Sequence, residues 1–303
     1  MFATLLGALP RPPLDPDAPI HALVEAAVRA QEAAGIEPIT DGGFHGQDGL
    51  VDAWRSTARH TRLSVKQAVT GPYTLGRSRP RSAGQRREAT LASALTLNAA
   101  LRDLAAAGCP LIEIHEPAAT RIGEDPAERT LFREAHLRLL DGVSGSHLSL
   151  ALTGGNADAA GIETILAAPY ASLAVDLVAG PDNWRLVAVT PGDRGIVCGA
   201  LPAEAGTADG PELLLWAAAY AASTGGRGAQ RVGLAIASSL AHLPWSVAVQ
   251  KLERLGEAAR LADLPRDERV QGLDPRAVSS RSAALGRVEP RSPRRPDPGQ
   301  DPT

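Results

Sequence analysis

Four side chains able to move protons or hold a metal stand in two short stretches. Asp41 and His45 lie in TDGGFH, and His115 and Glu116 lie in PLIEIHEPA. A histidine beside a carboxylate can serve as a general acid or base, and two histidines with carboxylates can ligate a metal. One hydrogen-bond partner also satisfies a packed histidine, so a rim His115 bonded to Glu116 or Asp41 is the structural alternative. Further polar groups follow apolar runs: Thr70 and Tyr73 in TGPYT, Asn156 after Gly154-Gly155, Asp176 in SLAVD, Glu204, and Ser238, Ser239 and His242 near the end of the folded part. Asp176 suits substrate binding, or capping of the next helix near Asp182. Gly154-Gly155-Asn156 suits an anion cradle or a tight turn. Arg77, Arg79, Arg81, Arg86 and Arg87 suit either a grip on a polyanionic tail or a solvated loop.

These residues recur at the ends of apolar runs, and each run is followed by a helical pattern. The runs are Phe2–Leu9, Pro38–Phe44, Leu63–Thr70, Pro110–Pro117, His147–Thr153, Ser172–Val178, Gly195–Leu201 and Arg231–Ser238. The helical patterns between them include Ile20–Ala34, stopped by Gly35, and Ala89–Ala107, stopped by Gly108. Eight strands alternating with helices predict an α/β fold, a single (β/α)8 TIM barrel over residues 1–262. An open doubly wound sheet is the alternative. In such a barrel the C-terminal strand ends build the site, where the polar groups above collect.

Side-chain alternation assigns faces. In LIEIH, Ile112 and Ile114 point to the helices and Glu113 and His115 point inside. On the preceding strand Val65 and Val69 point out, and Lys66, Ala68 and Thr70 point in. Lys66 and Glu113 therefore fall at similar depth and are expected to form an interior ion pair, because each charge is costly to bury alone. The fifth strand offers Ser149, Ala151 and Thr153 to the interior, and the eighth offers Gly233, Ala235 and Ala237. Such small side chains leave space that large residues opposite must fill, or that remains a cavity at the rim.

The composition excludes several classes. With 44% hydrophobic residues the chain can bury a sizeable core, but only 3% are aromatic, so Ala, Leu and Val must build it. A net charge of −3 gives no general attraction to nucleic acid or membranes. Cys109 and Cys198 cannot form a disulfide framework and suit a reducing, cytoplasmic setting. The N-terminal MFATLLGALPRPP lacks the basic and long apolar regions of a secretory signal, and no apolar run reaches membrane-spanning length. Residues 263–303 turn rich in Arg, Pro and Asp and are expected to be a mostly disordered tail, with a short helix possible at 275–285.

Four segments occur in order at strand ends: Leu6-Gly7-Ala8-Leu9-Pro10, Thr40-Asp41-Gly42-Gly43-Phe44, Thr70-Gly71-Pro72-Tyr73-Thr74 and Ile114-His115-Glu116-Pro117-Ala118. Together they resemble the catalytic domain of the cobalamin-independent methionine synthase family, within the barrel superfamily shared with uroporphyrinogen decarboxylase. The resemblance implies methyl transfer to a thiol such as homocysteine, with a zinc ion activating the sulfur. It also implies a small thiol, amino-acid or folate-like partner. The resemblance places the family's zinc ligands on Ala151, Thr153, Asp176 and Ser238 (or Ser239), of which only Asp176 can ligate. Its ammonium-binding Gly-Glu is Gly42-Gly43, the Asp of its D-E-P is His115, its first-strand serine is Ala8, and its relay histidine falls on Leu201.

The expected function is therefore a divergent, zinc-free small-molecule enzyme of that superfamily. Its catalytic candidates are His115, Glu116, Asp41 and His45. Its substrate-binding candidates are Gly7, Ala8, Thr70, Tyr73, Asn156, Asp176 and Ser238. The alternatives are a non-catalytic barrel that binds a ligand or partner, and an enzyme with a recruited metal site using His45 and His115.

Overall fold

The computed structural model describes residues 1–79, 82–206, 210–265 and 268. Most of the expected 263–303 tail, including 275–285, lies outside the described residues. The strands are β1 (Phe2–Thr4), β2 (Lys66–Thr70), β3 (Leu111–His115), β4 (His147–Leu152), β5 (Ser172–Asp176), β6 (Gly195–Leu201) and β7 (Val232–Ile236). All neighbours pair in parallel, in the order β1-β7-β6-β5-β4-β3-β2.

The helices are α1 (Ile20–Ala34), α2 (Leu50–Ala58), α3 (Pro72–Gly76), α4 (Ala83–Ala106), α5 (Pro126–Leu140), α6 (Ile162–Ile165), α7 (Trp184–Val189), α8 (Pro211–Ser223) and α9 (Trp245–Asp263). Gly35 ends α1 in a left-handed conformation at φ +75°, a region that glycine enters without a Cβ penalty. Helix α4 begins six residues earlier than its apolar pattern, at Ala83, because Ser82 and Gln85 form a reciprocal capping box.

The run Pro38–Phe44 is the expected strand that does not form a regular one. It contributes one parallel bridge, Ile39 to Val65. Pro38 has no N–H to donate, and Gly42 and Gly43 take φ of +73° and +84°, which turns the chain out of an extended path. Even so, this segment contacts both ends of the sheet. Glu37 N–H donates to Ala3 O of β1, Ile39 N–H donates to Ser64 O, and Lys66 N–H of β2 donates to Ile39 O, each at 2.8–2.9 Å. One short segment can reach both edge strands only because the parallel sheet curls.

The faces follow the alternation. Ile112, Ile114, Leu148, Leu150, Leu152, Val232, Leu234 and Ile236 join the main apolar core on the helix side. Inside the curl, Ala151, Ala174, Val197 and Ala235 close on Leu6, with Phe2 packed against them. These two large residues from the N-terminal segment fill space left by the small ones opposite. At Gly233 a Cβ would lie 2.4 Å from the Phe2 ring.

Candidate functional site at the strand C-termini

Two polar networks share strand β3 and face opposite ways. The inner one begins at Lys66, whose Nζ lies 2.8 Å from both oxygens of Glu113, with both residues about 2% exposed. The expected interior ion pair is thus present. Glu113 Oε1 is also 2.8 Å from His115 Nε2, so one carboxylate binds an ammonium below and an imidazole above. Burial alone would raise the Glu113 carboxyl, but the Lys66 charge and the His115 bond outweigh it and hold it down at about 2. Burial lowers the Lys66 ammonium, against the pull of Glu113. His115 is therefore bonded to Glu113 rather than to Glu116 or Asp41.

Glu116, the next residue, points behind the sheet and is fully buried. Its carboxylate accepts the N–H groups of Tyr73 (2.9 Å) and Thr74 (2.7 Å) and the Thr74 hydroxyl (2.5 Å). Its Oε1 lies 3.2 Å from His136 Nε2, and His136 Nδ1 lies 2.6 Å from the Tyr170 hydroxyl. Burial, reinforced by the Glu116 charge, pushes the Tyr170 hydroxyl well above its ordinary range. Tyr73 packs edge-on to Phe132, donates its hydroxyl to Glu128 at 3.0 Å, and carries the Arg77 guanidinium over its ring. This network anchors the T-G-P-Y-T turn to α5. Sequence reasoning missed His136 and Tyr170. The available signal was a histidine among Leu131, Phe132, Ala135 and Leu139, the buried face of α5.

A cavity of about 230 Å³ opens at the C-terminal ends of β1, β2 and β3. It brings together Gly7, Ala8, Asp41, Thr70 and His115 from the predicted set, with Gln47 and Gln67 added. Asp41 is fixed by the N–H groups of Gly43 (2.7 Å) and His45 (3.0 Å) and by His45 Nδ1 at 3.1 Å. Gln47 Oε1 accepts the Thr70 N–H. His45 thus reaches the cavity through Asp41, whereas Glu116 and Tyr73 face the helix layer behind it. His115 Nδ1 has no hydrogen-bond partner among the described residues.

Asn156, Asp176 and Ser238 are not part of this cavity. Asn156 exchanges two hydrogen bonds with Asp182, at 2.8 and 2.9 Å. Asp176 accepts the N–H groups of Gly154, Val178 and Ala179 at 2.8–2.9 Å, so it organises the loops after β4 and β5. Burial raises its carboxyl against these bonds. Ser239, next to Ser238, exchanges hydrogen bonds with the backbone of Ala8 at 3.2 Å and ties the end of β7 to the chain after β1. Of the arginine cluster, Arg77 and Arg86 pair with Glu128 and Arg87 pairs with Glu134, while Arg81 lies outside the described residues. Burial pushes the Cys109 thiol up to about 11 and the Cys198 thiol up to about 12, leaving both unreactive near neutral pH.

Two of the positions on which the resemblance places zinc ligands are otherwise engaged. Ala151 lies in the apolar cluster with Leu6, Ala174, Val197 and Ala235. Both Asp176 oxygens are already taken by backbone N–H groups. Among the described residues, no group of three or more His, Cys, Asp or Glu is placed to hold a metal ion. The family's ammonium-binding carboxylate does not fit either: a Cβ at Gly43 would lie 2.7 Å from that of Ala8, at a φ of +84°. No helix among the described residues is long and apolar enough to cross a membrane.

Comparison with known proteins agrees with the motif reading. Residues 20–136 match the family model for the cobalamin-independent synthase catalytic domain, a stretch holding three of the four motif segments. Among solved structures, a B12-independent methionine synthase from Shewanella sp. W3-18-1, in complex with selenomethionine, aligns with a TM-score of 0.70 at 15% identity. That alignment covers 89% of this chain and 99% of the other. A methyltransferase from Methanosarcina mazei aligns with a TM-score of 0.53 at 14% identity, over 70% of this chain and 63% of the other. No curated protein matches the chain. The chain is thus similar in sequence, over residues 20–136, and in fold, over most of its length, to the cobalamin-independent methionine synthase barrel.

Proposed function

We propose that this chain is a zinc-free barrel of the methionine-synthase-like type that binds a small thiol, amino-acid or folate-like molecule at its C-terminal rim and transfers protons to or from it. The reading takes the seven strands and the Glu37–Thr40 segment as one closed (β/α)8 ring. The observation that carries it is the Glu113–His115 contact of 2.8 Å at a cavity shared with Asp41. An ionised Glu113 accepts from Nε2–H, which fixes the ring and leaves Nδ1 as the proton acceptor, the arrangement by which a carboxylate orients a general base. Asp41, held by three N–H groups, supplies a fixed negative charge for a cationic or hydroxyl-bearing part of the ligand. Thr70 and the backbone around Gly7 and Ala8 shape the remaining wall. The buried thiols and modest net charge suit a cytoplasmic protein without a nucleic-acid partner.

A non-catalytic binding barrel is the second reading. It is favoured by the way Glu116, Tyr73, Asn156 and Asp176 are spent on architecture, which leaves few free polar groups. Metal analysis and thermal shift with homocysteine, methionine and folates test both. Substoichiometric zinc and a ligand-induced shift lost in His115→Ala support a zinc-free rim site on β3, while no metal and no shift with any of these ligands favours the non-catalytic reading. Stoichiometric zinc would overturn the zinc-free part. Binding unaffected by both His115→Ala and Asp41→Asn would overturn the rim site.

A further inference from the structure

A second cavity, of about 360 Å³, lies at the opposite, N-terminal end of the sheet. Its walls include Lys66, Glu113, Ser149 and Ser172, and its mouth is formed by the exposed residues Asp193, Gln230 and Arg231. The Ser149 hydroxyl, 1% exposed, has no hydrogen-bond partner among the described residues. Lys66 carries three protons and Glu113 takes two, leaving a third N–H. A roomy polar space open to solvent admits water that serves both groups. Between the ends of the sheet, the interior faces of Ala151, Ala174, Val197 and Ala235 pack with Leu6 as an apolar layer. The continuous polar connection on β2 and β3 is Lys66 Nζ to Glu113 to His115 Nε2, with 2.8 Å at each contact.

The geometry points to a proton relay through the barrel, in which Glu113 and Lys66 carry protons between His115 at the rim and water at the opposite end. The relay rests on the acid–base role of His115 given above. In the outward direction, once Nδ1 has taken a proton from the ligand, the His115 imidazolium passes its Nε2 proton to Glu113 Oε1 and keeps the new one on Nδ1, and Lys66 passes one to water in the lower cavity. Glu113 then returns its proton to Lys66 Nζ. One proton has moved from the imidazole to solvent, and the pair regains its charges. The device lets His115 shed its positive charge while a ligand seals the rim, and loss of the Nδ1 proton to rim water, with return of one to Nε2 through the relay, restores the starting tautomer once the ligand leaves. It also accounts for a charged pair where apolar side chains would fill a barrel interior at less cost.

The test uses the full chain labelled with 15N-histidine and no ligand, so it stands apart from the rim-binding experiments. The exchange rate of His115 Nε2–H with water is read by NMR, with His115→Gln assigning the signal. Ser149→Leu puts an apolar side chain beside Glu113 in the lower cavity and keeps all three relay groups, and by displacing the water there it should slow exchange at least tenfold. Lys66→Met combined with Glu113→Gln removes the relay without leaving a lone buried charge, and it should do the same. This second variant carries the test if Ser149→Leu does not fold. Exchange at the parental rate in either folded variant would show that the proton leaves by the rim and would overturn the relay, while loss of ligand binding in His115→Ala could still stand.

Discussion

Glu116 occupies the space that a side chain on Gly71 would need: a Cβ at Gly71 would lie 2.2 Å from Glu116 Oε1. The pairing of Thr70 with His115 brings the two residues side by side. Gly71 lets the carboxylate approach the backbone, and the carboxylate satisfies the first N–H groups of α3, where its negative charge is also favoured. The T-G-P and E-P motifs are therefore two halves of one structural joint.

Gly71→Ala should destabilise the protein by about 1–3 kcal/mol, the usual cost of forcing atoms into a filled site. Glu116→Ala should cost a similar amount or more, because it strands two buried N–H donors. Urea unfolding measures both. In the double variant the two costs should be far from additive, since the small residue at 116 makes room for the methyl group.

Lys66→Met alone should cost about 3–5 kcal/mol, because it leaves Glu113 charged in the interior. Lys66→Met with Glu113→Gln should recover most of that loss. A double-mutant cycle by chemical denaturation gives the coupling. A coupling near zero would mean that the pair is solvated in solution.

Acid should act through Glu113. Its carboxyl is held at about 2, below the ordinary 4.5, so between these values the unfolded chain binds more protons than the folded one. Its contribution to stability is therefore present above pH 4.5 and is lost as pH falls toward 2. In Glu113→Gln, paired with Lys66→Met to keep the interior neutral, unfolding free energy should vary less over that window. A pH series of urea melts supplies the comparison.

Restoring a metal-binding side chain at Ala151 should fail structurally. Ala151→His would push an imidazole into the cluster of Leu6, Ala174, Val197 and Ala235, at a cost of at least about 1–3 kcal/mol. Thermal unfolding should show the loss whether or not zinc is added. A zinc-dependent recovery of the melting temperature would show that the space can still open for the metal.

Much of the fold was legible because strand alternation and helical periodicity are local signals. The inward placement of Lys66 and Glu113, and the outward placement of Ile112 and Ile114, follow from a period of two. Pro38–Phe44 has the apolar start of a strand and runs into glycines, and its proline and two left-handed glycines limit it to a single bridge. The site was legible only in part. His115 and Asp41 do meet at a cavity, while Glu116 turns away, because neighbouring strand residues face opposite sides and the strand ends between them. The partners His136 and Tyr170 come from distant helix and loop positions that no spacing rule connects to Glu116.

The segment Glu37–Thr40 has a dynamic consequence. Among the described residues it holds the two edge strands with Glu37 N–H to Ala3 O, Ile39 N–H to Ser64 O and Lys66 N–H to Ile39 O, whereas β3 and β4 stay in register over five residue pairs. A line with so few backbone bonds is where the molecule should breathe first. Amides of Ile39 and Lys66 should accordingly exchange with deuterium before those of Ile114 and Leu150. Each such opening would bare the unpaired edge of β2 and admit solvent to the ion pair from its flank, so this seam sets how often the interior charges meet water by a route other than the lower cavity.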